Sequence, residues 1–459
     1  MPKSKYTSMA YGSWEEMIFG TAKYPVSIGL GPVELGKKHV HPQIVPHPRP
    51  GSEATKAKIL KEYQRMTEDA LSHCAALGFP SIVIEFEHIY QMTSQPEWAA
   101  AIFKQAKAQM QGYYDKFGLK SALISTVADL RKPDMVNMRK CQEIDWMLAT
   151  FESTAANGAD VLSIETMGGK EVFDYAIQRN DMRGIIFGIG VLSAIDMAWL
   201  WPQIVATAKK NGITPGGDTD CARGNTAMFM AGGYTATDVP HTVAALARAC
   251  SASRSLVAYE CGATGPTKDC AYEDPIIKAI TGVPITMEGV ASACAHAELQ
   301  SNLVAAVVDL WSNEAVEYHD MFGGSSIEVF TEILGYNVAQ MNAAIELGYA
   351  KELQSINIAS DKYRDVHGFM LSPDNSYEIG KAIVANVDSY YLRAKAAVLK
   401  TAELIAGDKK MLLTDFEKDA LAKARADVEA LPDNEGDFID MCLSEYKKVP
   451  GFDVTSYGF

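Results

Sequence analysis

The eight cysteines, Cys74, Cys141, Cys221, Cys250, Cys261, Cys270, Cys294 and Cys442, include no CxxC pair. Local zinc-ribbon and thioredoxin-like motifs are therefore absent, and any metal site must be assembled from distant parts of the chain. There is no basic run, and 42 Lys+Arg face 57 Asp+Glu for a formal charge of −15. That balance argues against nucleic acid and anionic membranes as partners. No charge-free apolar stretch reaches the ~18 residues of a transmembrane helix. The opening MPKSKYTSMAYGSWEEMIFG lacks the apolar core of a signal peptide. A cytoplasmic protein with reduced thiols is the expectation. Fixed-period repeats and low-complexity segments are missing too, which excludes repeat architectures and compositionally biased tails.

What remains is a 459-residue chain that is 48% hydrophobic, enough for a large core. Residues 1–79 read as an irregular arm followed by a helix over 53–78 that stops at a glycine. The arm contains HVHPQIVPHP, whose His39, His41 and His47 read as part of a proline-rich surface segment rather than a metal site. From residue 80, short Val- and Ile-rich runs alternate with helical patterns. The runs are 81–87, 121–129, 161–167, 184–190, 212–218, 255–262, 283–289 and, less clearly, 315–321. Continuous apolar strands separated by helices indicate buried parallel strands, and eight such units predict an α/β fold of the (β/α)8 TIM-barrel type over 80–335. An open doubly wound sheet is the alternative. Residues 336–459 show period-3.6 patterns and predict a helical extension packed on the barrel.

In such a barrel, chemistry belongs at the C-terminal strand ends. Those ends carry Glu85, Glu87 and His88, then Asp129, then Glu165. Further on come Asp218, Asp220 and Cys221 in GGDTDCARGN, then Glu260 and Cys261, Cys270, Glu288, and His319 with Asp320. A cysteine among turn residues such as those around Cys221 is out of place as a simple core residue. Glu165, Cys221, and either Cys261 or Cys270 offer one carboxylate and two thiolates with a coordination position left over. That is the donor set of a catalytic zinc site, and thiolates select zinc over magnesium or calcium. The alternatives are ordinary ones: a strand-end glutamate in a salt bridge, Cys261 in the core, Cys270 capping a helix. GGK at 168–170 and GPTK at 265–268 lack a complete phosphate-loop pattern.

The stretches SIETMGGKEVFDYA, PGGDTDCARGNTAMFMAGG, ECGATGPTKDCAYEDPIIKAITG and EYHDMFGGSSIEVFTEILGYN resemble the methanol:corrinoid methyltransferase subunit of anaerobic methylotrophs, with similarity over nearly the whole chain. The resemblance implies a zinc-containing TIM barrel whose ligands fall on Glu165, Cys221 and Cys270, so that Cys270 rather than Cys261 completes the set. It implies transfer of the methyl group of methanol to the Co(I) corrinoid cofactor of a small partner corrinoid protein, within a hetero-oligomeric complex in which this chain self-associates. Another small alcohol or methoxy donor, or a non-catalytic barrel subunit with a structural zinc, are the competing functions. Asp218, Asp220, Glu87 and Glu288 are candidates for supplying a proton to the leaving oxygen, with Asp218 and Asp220 also candidates for supporting the metal ligands. The N-terminal arm and the C-terminal helices are candidates for the partner interface.

Overall fold

The computed structural model describes residues 4–132, 137–232, 239–289, 300–317 and 321–459. Two strands, β1 (Thr21–Ile28) and β2 (Val33–Lys37), pair antiparallel as a hairpin. Seven more form one parallel sheet: β3 (His41–His47), β4 (Ser81–Glu87), β5 (Lys120–Ala128), β6 (Val161–Glu165), β7 (Thr214–Asp218), β8 (Thr286–Glu288) and β9 (Leu310–Val316). Their order is β7-β6-β5-β4-β3-β9-β8. An irregular segment, 264–267, bridges the two edges. Thr264 N donates to Pro215 O (2.9 Å), Gly265 N to Gly216 O (3.4 Å), and Thr286 N to Thr267 Oγ1 (2.9 Å). The sheet is thus curled into a barrel-type α/β fold, and the open doubly wound alternative is set aside.

Period-two alternation sorts each strand into an inner and an outer face. In β4, Ile82, Ile84 and Phe86 join the large apolar core, which also takes in the helices Lys56–Leu77 and Pro96–Phe117. Val83 turns inward instead and packs with Ala122, Ile124, Val161 and Leu310 from neighbouring strands. The hairpin residues Ile28, Val33 and Leu35 complete that small cluster, so β1–β2 seals the N-terminal end of the barrel. One step up, the inner face is polar: Gln43 Nε2 donates to Glu85 Oε2 (2.7 Å) and Ser312 Oγ (3.3 Å), and Thr126 Oγ1 donates to Glu85 Oε1 (2.6 Å). Further up, Glu87, Glu165 and Glu314, and one step beyond Val45 also His47, stand at the C-terminal end.

The glycines of β7 make room rather than bend the chain toward a ligand. A Cβ on Gly216 would stand 2.8 Å from Val161 Cγ1 and 3.1 Å from Pro266 O; one on Gly217 would stand 2.4 Å from Tyr259 Oη and 2.9 Å from Thr267 Cα. Only glycine lets 264–267 lie this close to β7.

Three of the expected strands fall elsewhere. Residues 184–190 belong to the helical run Met182–Ile185 and Ile186–Ser193, and 255–262 close the helix His241–Glu260. Residues 184–193 and 242–259 are buried, and a helix without a solvent face shows no 3.6-residue period to distinguish it from a buried strand. The last strand is Leu310–Val316 rather than 315–321. The missing stave is β3, inside the stretch expected to be an irregular arm. Its two prolines flank Gln43 and Ile44, the residues in register with β4, whereas all seven of its residues are in register with β9. His41 is therefore no surface residue: it is buried between Ser81 Oγ (2.7 Å) and Glu34 O (3.1 Å), and burial pushes its pKa down to about 3.

The helical run Met182–Asn211 is long and apolar enough to cross a membrane by composition, but 83% of its most apolar window is buried inside the fold, as in a core helix. The C-terminal helices, from Ser326–Glu346 to Glu435–Tyr446, were expected from their periodicity. One of them, Tyr390–Gly407, packs along His241–Glu260, where Arg393 Nη1 meets Glu260 Oε1 at 2.9 Å. The N-terminal segment is tied down at residues 10 and 11: Ala10 N donates to Ala279 O (3.0 Å) and Tyr377 Oη to Tyr11 O (2.9 Å).

Candidate metal centre

Glu165 ends β6, Cys221 opens the wide helical turn Cys221–Asn225 after β7, and Cys270 follows the bridging segment 264–267. Although 56 and 49 residues of sequence separate them in turn, one potential ligand atom from each lies within 4.8 Å of the other two. Cys270 Sγ donates to Glu165 Oε1 at 3.0 Å. The loop carrying Cys270 is pinned by Asn225 Nδ2 to Cys270 O (3.0 Å), with Arg248 Nη2 on Asn225 Oδ1 (3.2 Å). The hydrogen bond with Cys221, together with burial, pushes the Cys270 thiol well above its ordinary range, and burial raises Glu165. Three acceptors this close repel one another when ionised, and a divalent cation among them removes that repulsion. The donor set fits zinc: two soft sulfurs and one carboxylate, with no fourth ligand in this cluster among the described residues.

A single buried ammonium organises the acids around this triad. Lys268 pairs closely with Glu87 and Asp269, and its Nζ stands 3.3 Å from Glu85 Oε1, 3.6 Å from Glu165 Oε1 and 3.8 Å from Cys270 Sγ. Burial would lower its pKa, but the surrounding anions hold it well above the ordinary value. Burial and the neighbouring Asp269 push Glu85 up to about 8, so it keeps a proton at neutral pH. Burial alone would do the same to Glu87. There, however, Lys268 and a hydrogen bond from His47 (Nε2 to Oε2, 3.2 Å) win and hold the carboxyl below its usual range.

A model of the methanol-cobalamin methyltransferase B subunit family matches residues 3–458. The chain belongs to this family. It is 47% identical over 464 residues to the methanol–corrinoid protein co-methyltransferase of Methanosarcina barkeri, covering both chains completely. The crystal structure of the methanol:cobalamin methyltransferase complex MtaBC from the same species matches over the full length of both chains, with a TM-score of 0.97.

Within this family member, the remaining strand-end residues have structural partners instead. Cys261 caps the C-terminus of His241–Glu260 and lies outside the cluster. Cys74, Cys250 and Cys442 are buried core thiols, and Cys141 stands at the start of Gln142–Ala156. Asp129 and Asp196 both bind the buried Arg131, at 2.6 and 2.7 Å. Asp218 accepts from Trp201 Nε1, Arg254 Nη2 and Thr219 N, each at 2.8 Å. Asp220 pairs with Arg223 and accepts from Ser251 Oγ, both at 2.5 Å. Both aspartates are buried and paired with arginines, Asp218 with Arg254 and Asp220 with Arg223, so they brace the loop before Cys221. His88 is buried against Ser125 Oγ (3.1 Å), and burial pushes its pKa down to about 3. Glu288 accepts from Tyr272 Oη at 3.2 Å. Cys294, His319 and Asp320 lie outside the described residues.

Three residues around the triad are not among the strand-end candidates of the sequence: Lys268 and Asp269, which pair with each other, and His47, which meets Glu87; Glu314 stands beside His47 and Glu87. Lys268 lies in GPTK, which was weighed only as a phosphate loop. The strand-end rule would have found His47 and Glu314 had β3 and β9 been placed correctly.

Proposed function

We propose that this chain transfers the methyl group of methanol to the Co(I) corrinoid cofactor of a partner corrinoid protein, with Zn2+ held by Glu165, Cys221 and Cys270. The observation that carries the reading is the convergence of these three side chains at the C-terminal end of the barrel, in a chain whose full-length relative is named for this activity. Bound there, zinc supplies Lewis acidity toward the methanol oxygen, whose departure as hydroxide is otherwise unfavourable. The chain's own residues set the stage. Lys268 fixes the carboxylate of Glu165 and offsets the acids beside it. The apolar plug below Glu85 closes the barrel from the N-terminal end, so methanol and the corrinoid enter from the other. On that rim Phe322 stands fully exposed at the tip of a tight turn in which Met321 and Gly324 exchange hydrogen bonds of 2.7 and 3.1 Å. The seven described cysteines are all free thiols, which suits a cytoplasmic setting.

The test is metal content together with methylation of reduced corrinoid by methanol. The wild type should hold about one zinc per chain and be active; Cys221→Ser should lose both. A zinc-free protein that remains folded and regains activity with zinc supports a catalytic metal. One that unfolds on losing zinc supports a structural metal, and inactive wild type with zinc bound would overturn the methanol reading.

A further inference from the structure

The reaction proposed above breaks the methanol C–O bond and forms a carbon–cobalt bond with the electron pair of Co(I), which is formally oxidised to Co(III). The oxygen leaves as water only if it gains one proton, and the triad itself has none to give once its thiols are thiolates. Glu87 faces the triad: one of its carboxylate oxygens lies within 4.8 Å of the Cys270 sulfur. Its other side meets His47 Nε2 at 3.2 Å. The His47 side chain is 26% exposed and lines an open cavity of about 540 Å3 with Pro48, Glu53, Ile89, Gln91 and Glu314. A continuous path therefore runs from solvent through His47 and Glu87 to the metal centre, and the buried, arginine-paired aspartates offer no such path.

We infer that His47 is the proton source for the departing oxygen, acting through Glu87, and that it is recharged from the cavity. This rests on the methanol reading. His47 passes its proton to the Glu87 carboxylate as Glu87 protonates the leaving oxygen; neutral His47 then takes a proton from water. The charged groups around the imidazole favour its loaded form. Glu87 on β4 and Glu314 on β9 attract the charge, Lys268 opposes it, and Glu53 lines the same cavity. Burial works against the imidazolium, but the Glu87 hydrogen bond and charge outweigh it and push His47 up to about 9. His47 is a positioning and proton-supply residue, distinct from the groups that touch methanol.

The test compares wild type with His47→Gln in full-length protein and reduced corrinoid. Methyl transfer in the wild type should fall above about pH 9, where His47 loses its proton. His47→Gln should lower kcat about 100-fold with zinc content unchanged, lose that alkaline fall, and regain rate when imidazole is added. Separately, 15N NMR of the labelled wild type should show one imidazole, absent in His47→Gln, that titrates near pH 9 and moves downward in Glu87→Gln. A wild-type kcat and alkaline limb in His47→Gln would overturn the inference, as would a His47 that titrates at its ordinary value. Failure of the wild type to use methanol would strike the proposed function instead, and the NMR titration would still be readable.

Discussion

The two ends of the barrel are built from the same strands and do opposite things. Going up the inner face, β4 reads Val83, Glu85, Glu87; β6 reads Val161, Ser163, Glu165; β9 reads Leu310, Ser312, Glu314. The lower residues are apolar and sealed by the hairpin. The upper ones are ionisable: Glu87 and Glu165 converge on Lys268, and Glu314 stands beside His47 and Glu87. Stability is concentrated where the inner face is oily, and reactivity where each strand runs out of apolar residues. A two-residue step along a strand separates the two roles.

That comparison breaks first at Lys268, which belongs to the reactive end but holds it together. Replacing it with Met leaves Asp269 buried without its cation and Glu87 with His47 alone, and should cost about 3–5 kcal/mol. Chemical denaturation would measure it; a change under 1 kcal/mol would mean the acids simply take up protons. Leu310→Ala sharpens the comparison from the other end. It should cost about 3 kcal/mol yet leave zinc content and methyl transfer per folded molecule unchanged. Lost zinc in that variant would show that the two ends are coupled.

A smaller effect follows from pH. His47 is raised to about 9 by Glu87, so its contribution to stability is complete below its ordinary value near 6.5 and is lost as pH rises through 9. Glu85, raised to about 8 by burial, favours the folded state while protonated and adds to the same decline. The melting temperature should therefore fall between about pH 6.5 and 9, and less steeply in His47→Gln. A flat profile in the wild type would contradict both assignments.

How much of this the sequence discloses differs between the ends as well. β4, β5 and β6 are legible because their apolar runs are bounded by turns and followed by helices, whereas β7, TPGGD, carries only a weak strand signal; Glu165 and Cys221 are legible because they sit at strand ends. The choice of Cys270 over Cys261 needed the family resemblance. The structure explains why: residues 255–260 lie in a helix, so the stave after β7 begins only at Thr264 and Cys270 follows it. β3 was hidden by its two prolines and by the histidines that begin, end and precede it, and with it His47. Lys268 was hidden because nothing in the sequence shows that a lysine will be buried among acids drawn from two different strands and from its own loop.

If Glu165, Cys221 and Cys270 form the metal centre on which methyl transfer depends, zinc and activity must both require Cys270 and neither must require Cys261. The most direct measurement is zinc content and methanol-dependent corrinoid methylation of Cys270→Ser beside Cys261→Ser. Cys270→Ser should lose both while remaining folded, and Cys261→Ser should match the wild type in both. Loss of zinc in Cys261→Ser with retention in Cys270→Ser would contradict the claim.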